Sequence, residues 1–143
     1  MNMLVGSLTF VPLLMVAVAH LLWSMGRTWP IRNETLLAQT VVGTPGITKM
    51  PPKLASFAVA LLLLAAGIVA LALGDHDSGG WWLTLLGILL ALVFFGRGIL
   101  AYTAGWRARF PTEPFATLDR KNYAPLCFWI GAGFLILTAM RLL

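Results

Sequence analysis

Charge is scarce in these 143 residues: 10% are Asp, Glu, Lys or Arg, against 59% hydrophobic. A water-soluble domain typically carries about 25% charged residues, so there is too little polar surface here to coat a globule. The mean hydropathy of +0.88 points to several bilayer spans instead. A single cysteine, Cys127, excludes an intrachain disulfide, a CxxC redox pair and a cysteine zinc site. None of the five acidic residues falls inside an apolar run, which argues against a carrier moving protons through an intramembrane carboxylate. His20 is the only histidine at membrane depth, so a bis-histidine haem cannot form within one chain. Walker, zincin and GxSxG motifs are absent. No cofactor and no metal is therefore expected. The N-terminus lacks the basic stretch and small-residue cleavage site of a secretory signal, so the first segment is expected to be retained.

What the chain does have is apolar runs. About 20 such residues, rising about 1.5 Å each, cross a hydrocarbon core of about 30 Å. The first run covers residues 3–25, broken by Ser7, Thr9, Pro12, His20 and Ser24. Pro12 is expected to kink it, because proline removes a backbone donor and crowds the preceding turn. The second run, 54–73, carries no charge. The third opens on Trp81 and Trp82, an interfacial anchor pair, and stays apolar only to Phe95, roughly 22 Å by helical rise. That is too short to span, so the helix must continue to about residue 102 and carry Arg97 into the membrane. Arg97 must then snorkel or find a partner, for which Asp119 is the candidate. The fourth run covers 125–142. The expected fold is all-α: a polytopic four-transmembrane-helix bundle forming one domain, 1–143.

Lysine and arginine orient such a bundle. Arg27, Arg32, Lys49, Lys53, Arg97, Arg107, Arg109, Arg120 and Lys121 cluster at the first and third connections. The second connection has none and carries Asp75 and Asp77, with Arg141 alone on its side. By the positive-inside bias, loops 26–53 and 103–124 are cytoplasmic and both termini lie outside. The net charge of +5 is thus read as an orienting charge, and no basic-aromatic module indicates a nucleic-acid partner. The two halves share a layout, since prolines open the second span (Pro51, Pro52) and the fourth (Pro125). Small residues at Ala66 and Ala70, Gly87 and Ala91, and Gly131 and Gly133 mark positions where helices can approach closely.

The polar residues worth suspecting gather at one depth. His20 and Trp23 share a helical face with Arg27. Arg97 sits near the same end of the third helix, and Asp119 and Tyr123 arrive from the loop before the fourth. These five, His20, Trp23, Arg97, Asp119 and Tyr123, are the candidate ligand-binding set. Each has a simpler role available: His20 as a hydrogen-bonded structural residue, Arg97 and Asp119 as an ion pair. Cys127, in apolar surroundings, is expected to be inert. Trp23, Trp29 and Trp106 are read as interfacial anchors. Thr112-Glu113-Pro114-Phe115 has the signature of a helix start, with a short interfacial helix over 114–121 laying Phe115 and Leu118 into the membrane.

Two segments carry a resemblance. His20-x-x-Trp23-x-x-Gly26 lies at the end of the first helix. Phe115-Ala116-x-Leu118-Asp119-x-x-x-Tyr123-x-Pro125-Leu126-Cys127 lies at the start of the fourth. Together they resemble a family of small four-helix bacterial membrane proteins of unknown function. The resemblance implies a multi-pass protein of the bacterial inner membrane and transfers no activity. Three readings of function follow from the residues. The first is a non-enzymatic protein acting by interaction, as an accessory subunit of another membrane protein or as a homo-oligomer within the lipid bilayer. The second is a binding protein or transporter for a lipid or small anionic ligand, with its pocket at the cytoplasmic end. The third is an enzyme using His20 as acid or base.

Overall fold

A computed structural model describes residues 1–143, and every regular element in it is helical. Helix α1 runs Asn2–Ser24, α2 Glu34–Val41, α3 Lys53–Gly74 and α4 Trp81–Leu100. Short helices α5 (Ala104–Arg109) and α6 (Phe115–Leu118) follow, and a π-helical turn (Asp119–Tyr123) leads into α7 (Ala124–Leu142). Four helical stretches are long and apolar enough to cross a membrane, within a few residues of the expected runs. The fourth is longer than expected, because α6, the π turn and α7 form one stretch, Phe115–Leu142. The expected separate interfacial helix over 114–121 is instead its first turns. The wide turn sits just before Pro125, which has no N–H to return to Lys121; the Ala124 N–H reaches back to the Asp119 carbonyl instead.

In cross-section α1 packs on α3 and α7, while α4 packs on α7 and α3. Glycine decides how closely. Gly6 of α1 lies against the backbone of Ala70 and Gly74, where an added Cβ would come within 3.2 Å of the Ala70 carbonyl. Gly133 of α7 receives Thr9 of α1, and Gly87 of α4 receives Thr138 of α7, with no room for a methyl at either. The small residues singled out in the sequence are all buried against this chain's own helices. They make the bundle.

These close crossings concentrate away from the two long connections, toward the short Asp75–Gly80 turn. Leu13, Ala70, Leu73, Leu83, Phe134 and Leu137 fill the interior there. The turn itself is held by Arg141, whose Nη1 and Nη2 donate to the carbonyls of Asp75 (3.2 Å) and Ser78 (3.0 Å). Ser78 Oγ donates to the Asp75 carboxylate at 2.7 Å. That bond, with a weaker one from the Asp77 N–H, holds the Asp75 carboxyl below its usual value. Toward the other end the facing residues are Trp23, Phe94, Tyr123 and Leu126, which hold the helices apart. The bundle opens there, at the end carrying the long loops.

The first of those loops contains α2, which hydrophobic runs alone did not reveal. Asn33 caps it, its side chain accepting from the Leu36 N–H at 3.0 Å. Leu37, Ala38 and Thr40 are its buried face. The helix lies across the open end of the bundle and packs on α6. Gly43, just past it, has φ +78°; its carbonyl accepts from the Thr112 N–H (3.2 Å), and Thr112 Oγ1 donates to the Thr44 carbonyl (3.0 Å). Tyr123 donates its hydroxyl to the Thr40 carbonyl at 2.9 Å. Thr112 is therefore a strap between loops, and Glu113 holds the helix start, accepting from both the N–H and the hydroxyl of Thr117. Phe115, expected to lie in the membrane, is buried under Gly43 between Phe110 and Tyr123.

Candidate functional site

Under the α2 roof lies a cavity of about 400 Å³, within the range of roughly 300–1,000 Å³ typical of small-molecule sites. His20, Trp23, Arg97 and Tyr123, four of the five residues expected to form a ligand site, line it. Cys127 lines it too, with Val41 of α2 and Phe115 of α6. Deeper in, the walls are Leu13, Val16, Leu63, Phe94 and Ile130. Leu13 and Leu63 fall at the middle of α1 and α3, so the cavity reaches from the loop end to about half the bundle's height. Its polarity is graded, polar at the loop end and apolar below, in the sense of one lipid leaflet.

Asp119, the fifth candidate, stands behind this wall. Arg97 lies one turn from the end of α4, a depth the span length required of it. Its Nη2 donates to Asp119 Oδ1 at 2.7 Å. The carboxylate is 3% exposed and the arginine side chain 29%, so the pair is substantially desolvated and needs further bonds to balance that cost. One comes from Trp106 of α5, whose Nε1 donates to Asp119 Oδ2 at 2.9 Å. The Trp106 ring also lies under the guanidinium, 4.6 Å from its carbon, a cation–π contact. Trp106 is thus a partner of the ion pair, where the sequence read only an interfacial anchor. Tyr102 secures the same corner, its hydroxyl donating to the Arg120 carbonyl at 2.7 Å.

Two features of the lining have chemical consequences. Arg97 Nη1 is buried and has no hydrogen-bond partner. A buried charged donor left unpaired is costly, and Nη1 is closed off from the cavity that Arg97 lines. His20 Nδ1 lies 2.9 Å from the Val16 carbonyl of its own helix. A carbonyl only accepts, so Nδ1 carries the proton and Nε2 of the neutral ring is an acceptor. No side chain hydrogen-bonds His20; its ring instead packs on Trp23, with centroids 4.6 Å apart and planes tilted by 56°. The second polar group that acid–base catalysis by His20 requires is therefore not in place.

Two smaller compartments continue the cavity toward the loop surface. The middle one, about 270 Å³, shares His20, Trp23, Val41 and Val59 with it and adds Met50, Pro51 and Ser56. The outer one, about 340 Å³, shares Trp23, Met50 and Pro51 with the middle and adds Arg27, Glu34 and Lys53. No cluster of His, Cys, Asp or Glu has the grouping of a metal site.

A helix bundle with four membrane-length helices, roofed at one end over an amphipathic cavity, is the class of protein this architecture defines. The chain belongs to the family described as protein of unknown function (DUF3995), whose model matches residues 13–134. That span includes both sequence segments, every cavity-lining residue and the roof. The comparisons found no matching curated protein and no matching solved structure.

Proposed function

We propose that this protein binds one small amphiphile in the roofed cavity, head toward the loop end and apolar body toward the bilayer midplane. The observation that carries the reading is that His20, Trp23, Arg97 and Tyr123 line one cavity with apolar lower walls. Arg97 supplies a positive charge beside the ligand head, and His20 Nε2 supplies an acceptor. A two-chain phospholipid is too large for about 400 Å³, whereas a single-chain or compact ring amphiphile fits. Binding is favoured over catalysis because His20 has no polar side-chain partner. It is favoured over self-association because the small-residue pairs singled out in the sequence are occupied within the chain.

Native mass spectrometry of gently extracted protein tests this. The wild-type chain is expected to carry one small-molecule adduct. Val16→Trp, which fills the cavity from a half-buried lining position, is expected to fold and to lose it. A bare wild-type protein, or an adduct that persists unchanged in Val16→Trp, would refute the reading.

We further propose that the roofed end faces the cytoplasm of a bacterial cell, with the protein in the inner membrane. Nine of the ten Lys and Arg residues lie at that end. A cysteine placed at exposed Asp77, in a Cys127→Ser background, is expected to react with an impermeant maleimide on intact cells. Labelling only after lysis would invert the topology.

A further inference from the structure

Trp23 is the only side chain that lines all three compartments. It stands where the outer and middle spaces meet the inner cavity, against His20 on one side. On the other, its Nε1 donates to the Trp29 carbonyl in the loop at 2.6 Å. The ring is thus held by a bond that a rotation would break, in the one position that borders all three volumes.

The outermost compartment is basic. Arg27 and Lys53 line it, both are exposed, and neither is in an ion pair, since the chain's one salt bridge is Arg97–Asp119. The Lys53 amine lies over Gly26, where a Cβ would meet Nζ at 3.2 Å. Glu34, the one acid in the lining, accepts from the Met50 N–H at 3.2 Å, which occupies part of its carboxylate in closing the loop. At the far end of the route the inner cavity is lined by Arg97.

From this series we infer that the ligand is an anionic amphiphile, admitted from the loop-side surface through a cationic vestibule and past Trp23. The inference rests on the binding reading above and adds the charge of the ligand and its route. Arg27 and Lys53 concentrate the anionic head at the mouth, as clefts of one charge sign do. Trp23 swings from the Trp29 carbonyl to let it pass, and the head settles at Arg97. A carboxylate, a phosphate monoester and a sulfonate share this chemistry.

Cys127 lines the inner cavity and is the only thiol, so its modification reports arrival there. Two methanethiosulfonate probes of opposite charge, sulfonatoethyl and trimethylammonioethyl, are reacted with detergent-solubilised full-length protein. The anionic probe is expected to react about tenfold faster than the cationic one, and the ratio is expected to fall with salt. Arg97 also favours the anion near Cys127, so the deciding variant is Arg27→Glu/Lys53→Glu at the surface. It is expected to abolish or invert the ratio, and Trp23→Ala is expected to speed both probes. A ratio unmoved by the vestibule charges, or a rate unmoved by Trp23→Ala, would overturn the route. An adduct in native mass spectrometry alongside that result would leave the binding reading standing. Vestibule-dependent rates with no adduct would reject the binding reading and retain the channel.

Discussion

Replacing Asp119 with leucine is expected to destabilise the fold by about 3 kcal/mol, and replacing Arg97 with leucine as well is expected to return most of that loss. The single substitution strands a guanidinium one turn inside the membrane end of α4, with Nη1 already lacking a partner and Nη2 newly deprived of one. Arginine cannot shed its proton, so its only relief is to snorkel past Trp106 toward the loops. Arg97→Leu alone strands a carboxylate that is 3% exposed and keeps only the Trp106 bond. The double variant leaves two apolar side chains in a site already walled by Phe94 and Leu126, where no charge needs compensation. Unfolding titrations in mixed detergent micelles measure the cycle. Additive losses, with the double variant worse than either single one, would show that the pair is not a desolvated unit.

That ion pair was also the most legible part of the site. The third apolar run could reach across a bilayer only by including Arg97, and a charge at that depth demands a partner. Asp119 was the acid near the start of the fourth span, at a comparable level. Span length and desolvation together required Arg97 to snorkel, reach headgroups or pair, and offered Asp119 as one partner without deciding among them. His20 and Trp23 were readable by a similar route, because i and i+3 share a helical face and both fall at the same end as Arg97. The four spans were legible for the simplest reason, which is that bilayer thickness sets their length.

What escaped was everything decided by contacts distant in sequence. Helix α2 has only eight residues, too few for a periodic pattern to stand out, though Asn33-Glu34 ahead of Leu36-Leu37 is a capped start in miniature. Its role as a roof depends on meeting α6, more than seventy positions later. Phe115 was assigned to the membrane as part of the apolar face of a short interfacial helix. Nothing local shows that Gly43 has left a space for it. Trp106 was misread for the same reason, since its bond to Asp119 closes across a turn whose path the sequence does not give. The cavity is a difference between close crossings at one end and bulky contacts at the other. It becomes visible only once each glycine is matched to what it faces.

The roof can be tested at the glycine on which it turns. Gly43→Ala is expected to cost about 3 kcal/mol, from a left-handed backbone and an overlap with the Phe115 ring. Gly43 has φ +78°, and an added Cβ would fall inside the van der Waals envelope of Phe115 Cδ1 and Cγ. Gly46 supplies the control, with φ +70° and nothing within 4 Å of the corresponding position. Gly46→Ala is therefore expected to cost only the conformational part, about 1 kcal/mol. Subtracting one from the other isolates the contact with Phe115. Phe115→Ala should shrink that difference when combined with Gly43→Ala without erasing it, because the Phe115 Cβ, which alanine keeps, also lies within 2.8 Å of the added methyl. Alkylation of Cys127 by N-ethylmaleimide supplies an independent readout. Gly43→Ala lifts the loop that carries Val41, a lining residue of the cavity, so Cys127 is expected to react faster in it than in Gly46→Ala. Equal unfolding free energies for the two glycine variants, or equal Cys127 rates, would mean that α2 merely rests on the bundle and does not close it.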